Sequence, residues 1–248
     1  MTPACGSHFD RLLREAEADP EVVGLILGGS RGKNAYVTAR SDHDVYVIVA
    51  SDQACARWAK AYPTSHGDPL EVMPATLDSF REHARPGSPT AWNAYTFAHV
   101  EPVLDKLNGE IATIAVAKGR VDPASAGPLL DEYINLLYRS AKSARDGLLV
   151  EARFDAAESV SSFLDFLFAV HGRVRPYNKW LRWELEQHPL ETPWTIELVP
   201  RLERVLNGDR NEQASLFRDA EALARRKKLG DVVEGWEPDL SWLRGAAL

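Results

Sequence analysis

The stretch LILGGSRGKNAYVTARSDHDVYVIV, from Leu25 to Val49, constrains this chain more than any other. An apolar run enters a Gly-Gly-Ser-Arg-Gly turn. A polar loop follows, then two aspartates one residue apart, then a second apolar run. Side chains alternate across a strand, so Asp42 and Asp44 share a face at the strand entry. Val45, Val47 and Val49 point one way, Tyr46 and Ile48 the other. Two carboxylates held together repel unless a cation lies between them. Hard oxygen ligands of this kind suit Mg²⁺, which keeps several waters and shares substrate phosphates. Two such ions can activate an attacking hydroxyl and stabilise a leaving pyrophosphate. A Gly-Ser turn after a strand exposes backbone N–H groups and a hydroxyl to phosphate oxygens. The plainer reading of a lone D-x-D is a pair of solvated residues. The run of strand, GGS, loop, S-D-x-D and strand is far more specific.

Two other motifs fit Gly28–Gly32 less well. G-x-S-x-G matches the nucleophile elbow letter for letter, but Ser30 has one strand before it and no long helix expected after it. A phosphate-binding P-loop needs G-x-x-x-x-G-K-[ST]. Gly28 to Gly32-Lys33-Asn34 is one residue short and has no hydroxyl after the lysine.

The rest of the chain sorts into two regions. Phe9, Leu12, Leu13 and Ala16 predict a helix over 7–18. Val22–Leu27, Val45–Ala50 and Pro69–Pro74 predict strands. His99–Leu104 and Ile111–Val116 are expected to add two more, around a turn at Lys106–Gly109. The segment 85–90 reads as a loop. Beyond residue 123 the spacing is helical: 128–146, 151–171, 178–188, 196–206 and 211–229, mostly stopped by glycine. The expected fold class is α+β, with a small mixed sheet and flanking helices in 1–120 and a helical bundle in 121–248.

The 248 residues carry a formal net charge of −7. Non-specific nucleic-acid affinity comes mostly from phosphate attraction, so this balance argues against it. Cys5 and Cys55 read as two reduced thiols rather than a disulfide. His8, His43, His66, His83, His99, His171 and His188 form no H-x-x-x-H pair, so zinc is not expected. The N-terminal MTPACGSHFD shows no signal-peptide pattern, and no apolar run is long enough to span a bilayer. A cytoplasmic location is expected.

Gly29-Ser30 followed by Ser41-Asp42-His43-Asp44-Val45 resembles the active-site signature of the DNA polymerase β-like nucleotidyltransferase superfamily. His43 departs from it, since an apolar residue is usual there. The resemblance implies that Gly29 and Ser30 meet the nucleotide phosphates, with Arg31 as an extra contact, and that Asp42 and Asp44 bind Mg²⁺, two ions being expected. Such proteins often carry a third carboxylate on a neighbouring strand. Glu71, in Leu70-Glu71-Val72, fits, with Asp68 as runner-up. The plainer reading of Glu71 is a charge that blunts a sheet edge.

The helical half resembles the domain that follows the catalytic domain in antibiotic nucleotidyltransferases. Asn135, Tyr138, Arg139 and Lys142 share a helix face, and Lys142 could reach a triphosphate as in kanamycin-type enzymes. Those enzymes place a glutamate base nearby. Here that position is Tyr138, and Glu132 is the nearest acid, so the base is open between Glu71 and Glu132. Arg173-Val174-Arg175-Pro176-Tyr177-Asn178-Lys179-Trp180 offers Tyr177 for base stacking and Lys179 for a phosphate. The alternative is a packing corner with snorkelling cations.

The resemblance implies Mg²⁺-dependent transfer of a nucleoside monophosphate from an NTP to the hydroxyl of a small molecule, such as an aminoglycoside-like antibiotic or another polyol. The alternatives are a protein or tRNA acceptor, as in toxin–antitoxin-type systems, and a catalytically inactive nucleotide-binding module. A homodimer is left open.

Overall fold

The computed structural model describes residues 5–63 and 67–245. They fall into two compact units, Met1–Arg120 and Val121–Leu248. His66 and the Cys5 side chain lie outside the described residues, and with them the Cys5–Cys55 pairing. Among the described residues Cys55 pairs with no other cysteine. The architecture is α+β.

The first unit runs α1 (Cys5–Ala18), β1 (Val22–Leu27), α2 (Gly29–Gly32), β2 (His43–Val49), α3 (Asp52–Ala61), β3 (Leu70–Thr76), α4 (Leu77–Glu82), a 3₁₀ segment Ala91–Phe97, β4 (Pro102–Asp105) and α5 (Glu110–Lys118). The sheet order is β3-β2-β1-β4. β2 pairs with β3 in parallel and β1 pairs antiparallel with both neighbours, which makes the sheet mixed. β2 is central and apolar on both faces, as a strand covered on both sides should be. Val45, Val47 and Val49 pack with Leu12 and Ala16 of α1 and with Ala54 and Trp58 of α3. Tyr46, on the other face, packs on Phe97 at 4.9 Å between ring centroids.

Ile111–Val116, expected as a strand, is instead the body of α5. Its buried residues Ile111, Ala115 and Lys118 follow helical spacing. Asp105 starts this helix by accepting from the N–H groups of Leu107 (2.9 Å) and Ala112 (3.2 Å). Ile111 then packs on β1 at Gly24, where a Cβ would lie 2.7 Å from its Cγ1. The glycine in VVGLIL therefore makes room for this helix.

Two lysines close helix C-termini in this unit. Lys106 Nζ donates to the carbonyls of Ala16, Glu17 and Asp19 behind α1. Lys118 Nζ donates to Phe80, Arg81 and His83 behind α4, between the Phe80 and Phe97 rings. A cation at a helix C-terminus meets its unsatisfied carbonyls and the negative end of its dipole. Burial still pushes the Lys118 ammonium down to about 8.

The second unit is helical: α6 (Ala126–Arg145), α7 (Leu149–Val170), α8 (Leu181–Gln187), α9 (Leu198–Leu206), α10 (Arg210–Arg226), α11 (Gly230–Glu234) and α12 (Leu240–Leu243). Its core joins Leu130, Tyr133 and Leu137 of α6 to Phe163, Phe166 and Leu167 of α7 and Phe217 of α10, around the fully buried Trp194. The aromatic tail packs on α6. Tyr138 lies 5.9 Å from both Trp236 and Trp242, and the Trp236 indole donates to Asp131. No helix among the described residues is long and apolar enough to cross a membrane.

Candidate nucleotide site

The GGSRG turn and the SDHD segment are held together at both ends. The Gly28 N–H donates to the Asp44 carbonyl at 2.7 Å. Arg31 donates through Nε (3.1 Å) and one Nη (2.9 Å) to the Ser41 carbonyl, the residue before Asp42. The turn at 38–41 also closes on itself, with the Thr38 N–H on Ser41 Oγ at 2.9 Å. Both aspartates thus follow a backbone whose course the glycine turn dictates.

The glycines have separate reasons. Gly29 lies at φ +60, and a Cβ there would land on Asp44 Oδ2. A Cβ on Gly32 would strike the Leu27 carbonyl oxygen. Gly29 therefore gives the Asp44 carboxylate its place beside Ser30, in a conformation that other residues adopt only under strain. Ser30 follows it on the single turn of α2.

Lys33 takes no part in a P-loop. It is buried, donates to the carbonyls of Tyr95 (3.3 Å) and Ala98, and lies 4.8 Å from the centroid of the Tyr95 ring. The turn is thereby tied to the 3₁₀ segment. That segment also builds a polar network on the Asp44 face of β2. Asn93 Nδ2 donates to the Tyr46 hydroxyl at 2.8 Å, and Thr96 Oγ1 donates to Asn93 Oδ1 at 2.5 Å. His83 Nε2 sits 2.9 Å from the same Asn93 nitrogen. The sequence reading missed Tyr46, Asn93 and Thr96, because nothing in WNAYT says what it will meet fifty residues earlier.

His43 does not weaken the constellation. It continues the Val45 face of β2, stacks on Phe9 at 5.0 Å and is buried. Burial, and then the Arg31 charge, hold its imidazole below the usual range. It takes the core position that an apolar residue would otherwise fill.

Glu71 is the register partner of Asp44 on the parallel neighbour β3. Its carboxylate accepts from the Gly67 N–H at 3.0 Å. Among the described residues, no group of three or more His, Cys, Asp or Glu is placed to hold a metal ion. The carboxylate chemistry of Asp42 and Asp44 still fits Mg²⁺, which one or two carboxylates hold when substrate phosphates complete its shell.

In the helical unit the remaining candidates separate. Lys142 and Glu132 are ten residues apart on α6, about 15 Å along the helix. Lys142 sits 5.4 Å from the centroid of the Tyr138 ring and lines a cavity of about 500 Å³ with Arg139, Asp155 and the exposed Phe154. Arg139 pairs with Asp155 there at 3.2 Å. Glu132 lies near Asp165 instead. Burial pushes the Asp165 carboxyl above the usual range, Arg175 pulls it back and the charge of Glu132 adds to the rise. Arg175 also donates to Ser161 Oγ (2.6 Å) and Asn178 Oδ1 (3.0 Å). Arg173 is spent on Glu184 and the His188 carbonyl. Both arginines of Arg173-Val174-Arg175 are thus packing cations, while Tyr177 remains exposed and Lys179 lies 5.4 Å from the centroid of the Trp180 ring. Asp165 was missed although it had a signal, a lone acid in the apolar run FLDFLFAV.

No protein-family model matches the chain, and no curated protein matches it. Among solved structures it is similar to a nucleotidyltransferase-like protein from Exiguobacterium sibiricum. The TM-score is 0.38 at 10% sequence identity, over 93% of this chain and 88% of that one.

Proposed function

We propose that this chain is a nucleotidyltransferase that moves a nucleoside monophosphate from an NTP to a hydroxyl of a small acceptor and releases pyrophosphate. The observation that carries the reading is the double bracket on the SDHD segment, Gly28 on the Asp44 carbonyl and Arg31 on the Ser41 carbonyl. It fixes the backbone of both aspartates next to a Gly-Ser turn, with the Asp44 carboxylate against Gly29. A site built to bind polyphosphate and a divalent cation needs these groups together, and no packing demand in the described core does.

Asp42 and Asp44 would hold Mg²⁺. The ion would neutralise phosphate charge and orient the departing pyrophosphate. Gly29 and Ser30 would bind the β- and γ-phosphates. Glu71, in register with Asp44, would accept the acceptor's proton or support its neighbour. The net charge of −7 supports a cationic acceptor drawn to carboxylates.

The test is pyrophosphate release with Mg²⁺, each of the four NTPs and a panel of aminoglycosides and polyols, for wild type and Asp44→Ala. Acceptor-dependent release that vanishes in the variant is expected. NTP binding without release on any small acceptor would move the acceptor to a protein or tRNA. Nucleotide binding that survives Asp44→Ala unchanged would overturn the site.

A further inference from the structure

We propose that the pocket between Arg153 and Arg210 in the helical unit binds a small oxyanion of the phosphate class. The pocket encloses about 180 Å³. Arg153, Arg210, Asn207, Gln213 and Ser140 supply its polar lining, the rest is glycine, alanine and leucine, and no acid contributes.

Most arginines of this unit find carboxylates; among the described residues, Arg182 and Arg218 are exceptions outside this pocket. Arg139 meets Asp155, Arg175 meets Asp165, and Arg201 meets both Glu212 and Asp219. Among the described residues, neither Arg153 nor Arg210 has a carboxylate within ion-pair distance. In a chain with an excess of acids this pairing failure is informative. A partly buried charge without a counter-charge is costly.

Arg210 bears the cost twice. It opens the 17-residue α10, where the positive end of the helix disfavours a cation. Its side chain is partly buried, and burial holds it below the usual guanidinium range with no charged neighbour to offset the effect. Gln213 Oε1 accepts from it at 2.6 Å, which fixes the guanidinium without neutralising it. Arg153 is exposed on the other side of the pocket. Gly208, at φ +84, lies against its stem, so that a Cβ there would be 3.6 Å from Nε. Two guanidinium groups, that of Arg210 fixed by Gln213, with the Asn207 amide lining the same pocket, match the oxygens of a tetrahedral oxyanion. The small volume favours a free anion over the backbone of a polymer. Asp209 already caps the N–H groups of Asn211 and Glu212, so the arginine side chains carry the site.

This inference does not rest on the reading of Asp42 and Asp44. Its test is calorimetric titration of the full chain with inorganic phosphate and, separately, pyrophosphate, against chloride at matched ionic strength. Saturable binding is expected in the wild type. It should weaken about tenfold in Arg153→Gln, and further in Arg153→Gln/Arg210→Gln. The tighter of the two anions shows whether the pocket takes a mono- or a diphosphate. Arg153 is exposed, so its single variant tests the site even where the double variant fails to fold. Binding that is absent in the wild type or unchanged in Arg153→Gln would overturn the inference.

Discussion

Gly29 and Arg31 act through geometry rather than chemistry, and each makes a distinct prediction. Gly29→Ala puts a methyl group onto the Asp44 carboxylate in a left-handed conformation. It is expected to cost about 1–2 kcal/mol of stability. The displaced carboxylate should reduce NTP turnover roughly a hundredfold. Urea unfolding and pyrophosphate release measure the two effects separately. Arg31→Lys keeps the charge but cannot donate twice to the Ser41 carbonyl. Partners of this outer kind tune metal affinity, so Mn²⁺ binding read by electron paramagnetic resonance should weaken roughly tenfold. Unchanged Mn²⁺ affinity would make Arg31 a loop contact and nothing more. The sequence showed Arg31 as a cation beside a phosphate turn. Its partner is a backbone carbonyl ten residues away, and no side-chain pattern encodes that.

At the scale of elements, the strands were legible because their apolar runs are short and bounded by turn residues. β1 falls where VVGLIL placed it, and β2 and β3 shift by two residues or fewer. Four long helices of the second half, α6, α7, α9 and α10, were legible from spacing and glycine stops, while 178–188 resolves into a 3₁₀ turn and the seven-residue α8. α5 was not. IATIAVA is rich in β-branched residues, and its three alanines hide the face that is buried. The deciding signal was Asp105, whose carboxylate takes two N–H groups at the helix start. Asp105→Ala should therefore cost about 1 kcal/mol, as loss of a cap does. A urea titration followed by circular dichroism would show it. α3 and α4 went unread for a related reason, since only two residues of α3 and one of α4 are buried. Their start signals were present, with Ser51 and Thr76 capping the N–H groups of Ala54 and Ser79.

Across the whole molecule, half-buried histidines contribute to the pH response. His83 and His171 are both held below the ordinary imidazole value of 6.5, first by burial and then by nearby cations, although the Leu167 carbonyl opposes the shift at His171. Their native forms bind fewer protons than the unfolded chain near that pH, so stability rises with pH through this window. The contribution is complete above 6.5 and is lost as pH falls through the lower folded values. Urea midpoints should fall between pH 7.5 and pH 5, and His171→Gln should flatten part of that slope. An equal midpoint at both values would contradict the burial of these rings.

Lys33 and Arg31 together have a consequence for how such a chain can diversify. Lys33 moors the start of the connection to the carbonyls of Tyr95 and Ala98, and Arg31 moors its end at Ser41. Between these anchors Tyr36 and Val37 are exposed, and Tyr36 lies in the left-handed region. A span fastened at both ends can be rewritten in its middle while Asp42 keeps its position. The exposed Val37 is therefore a graft point for reshaping the rim of this site.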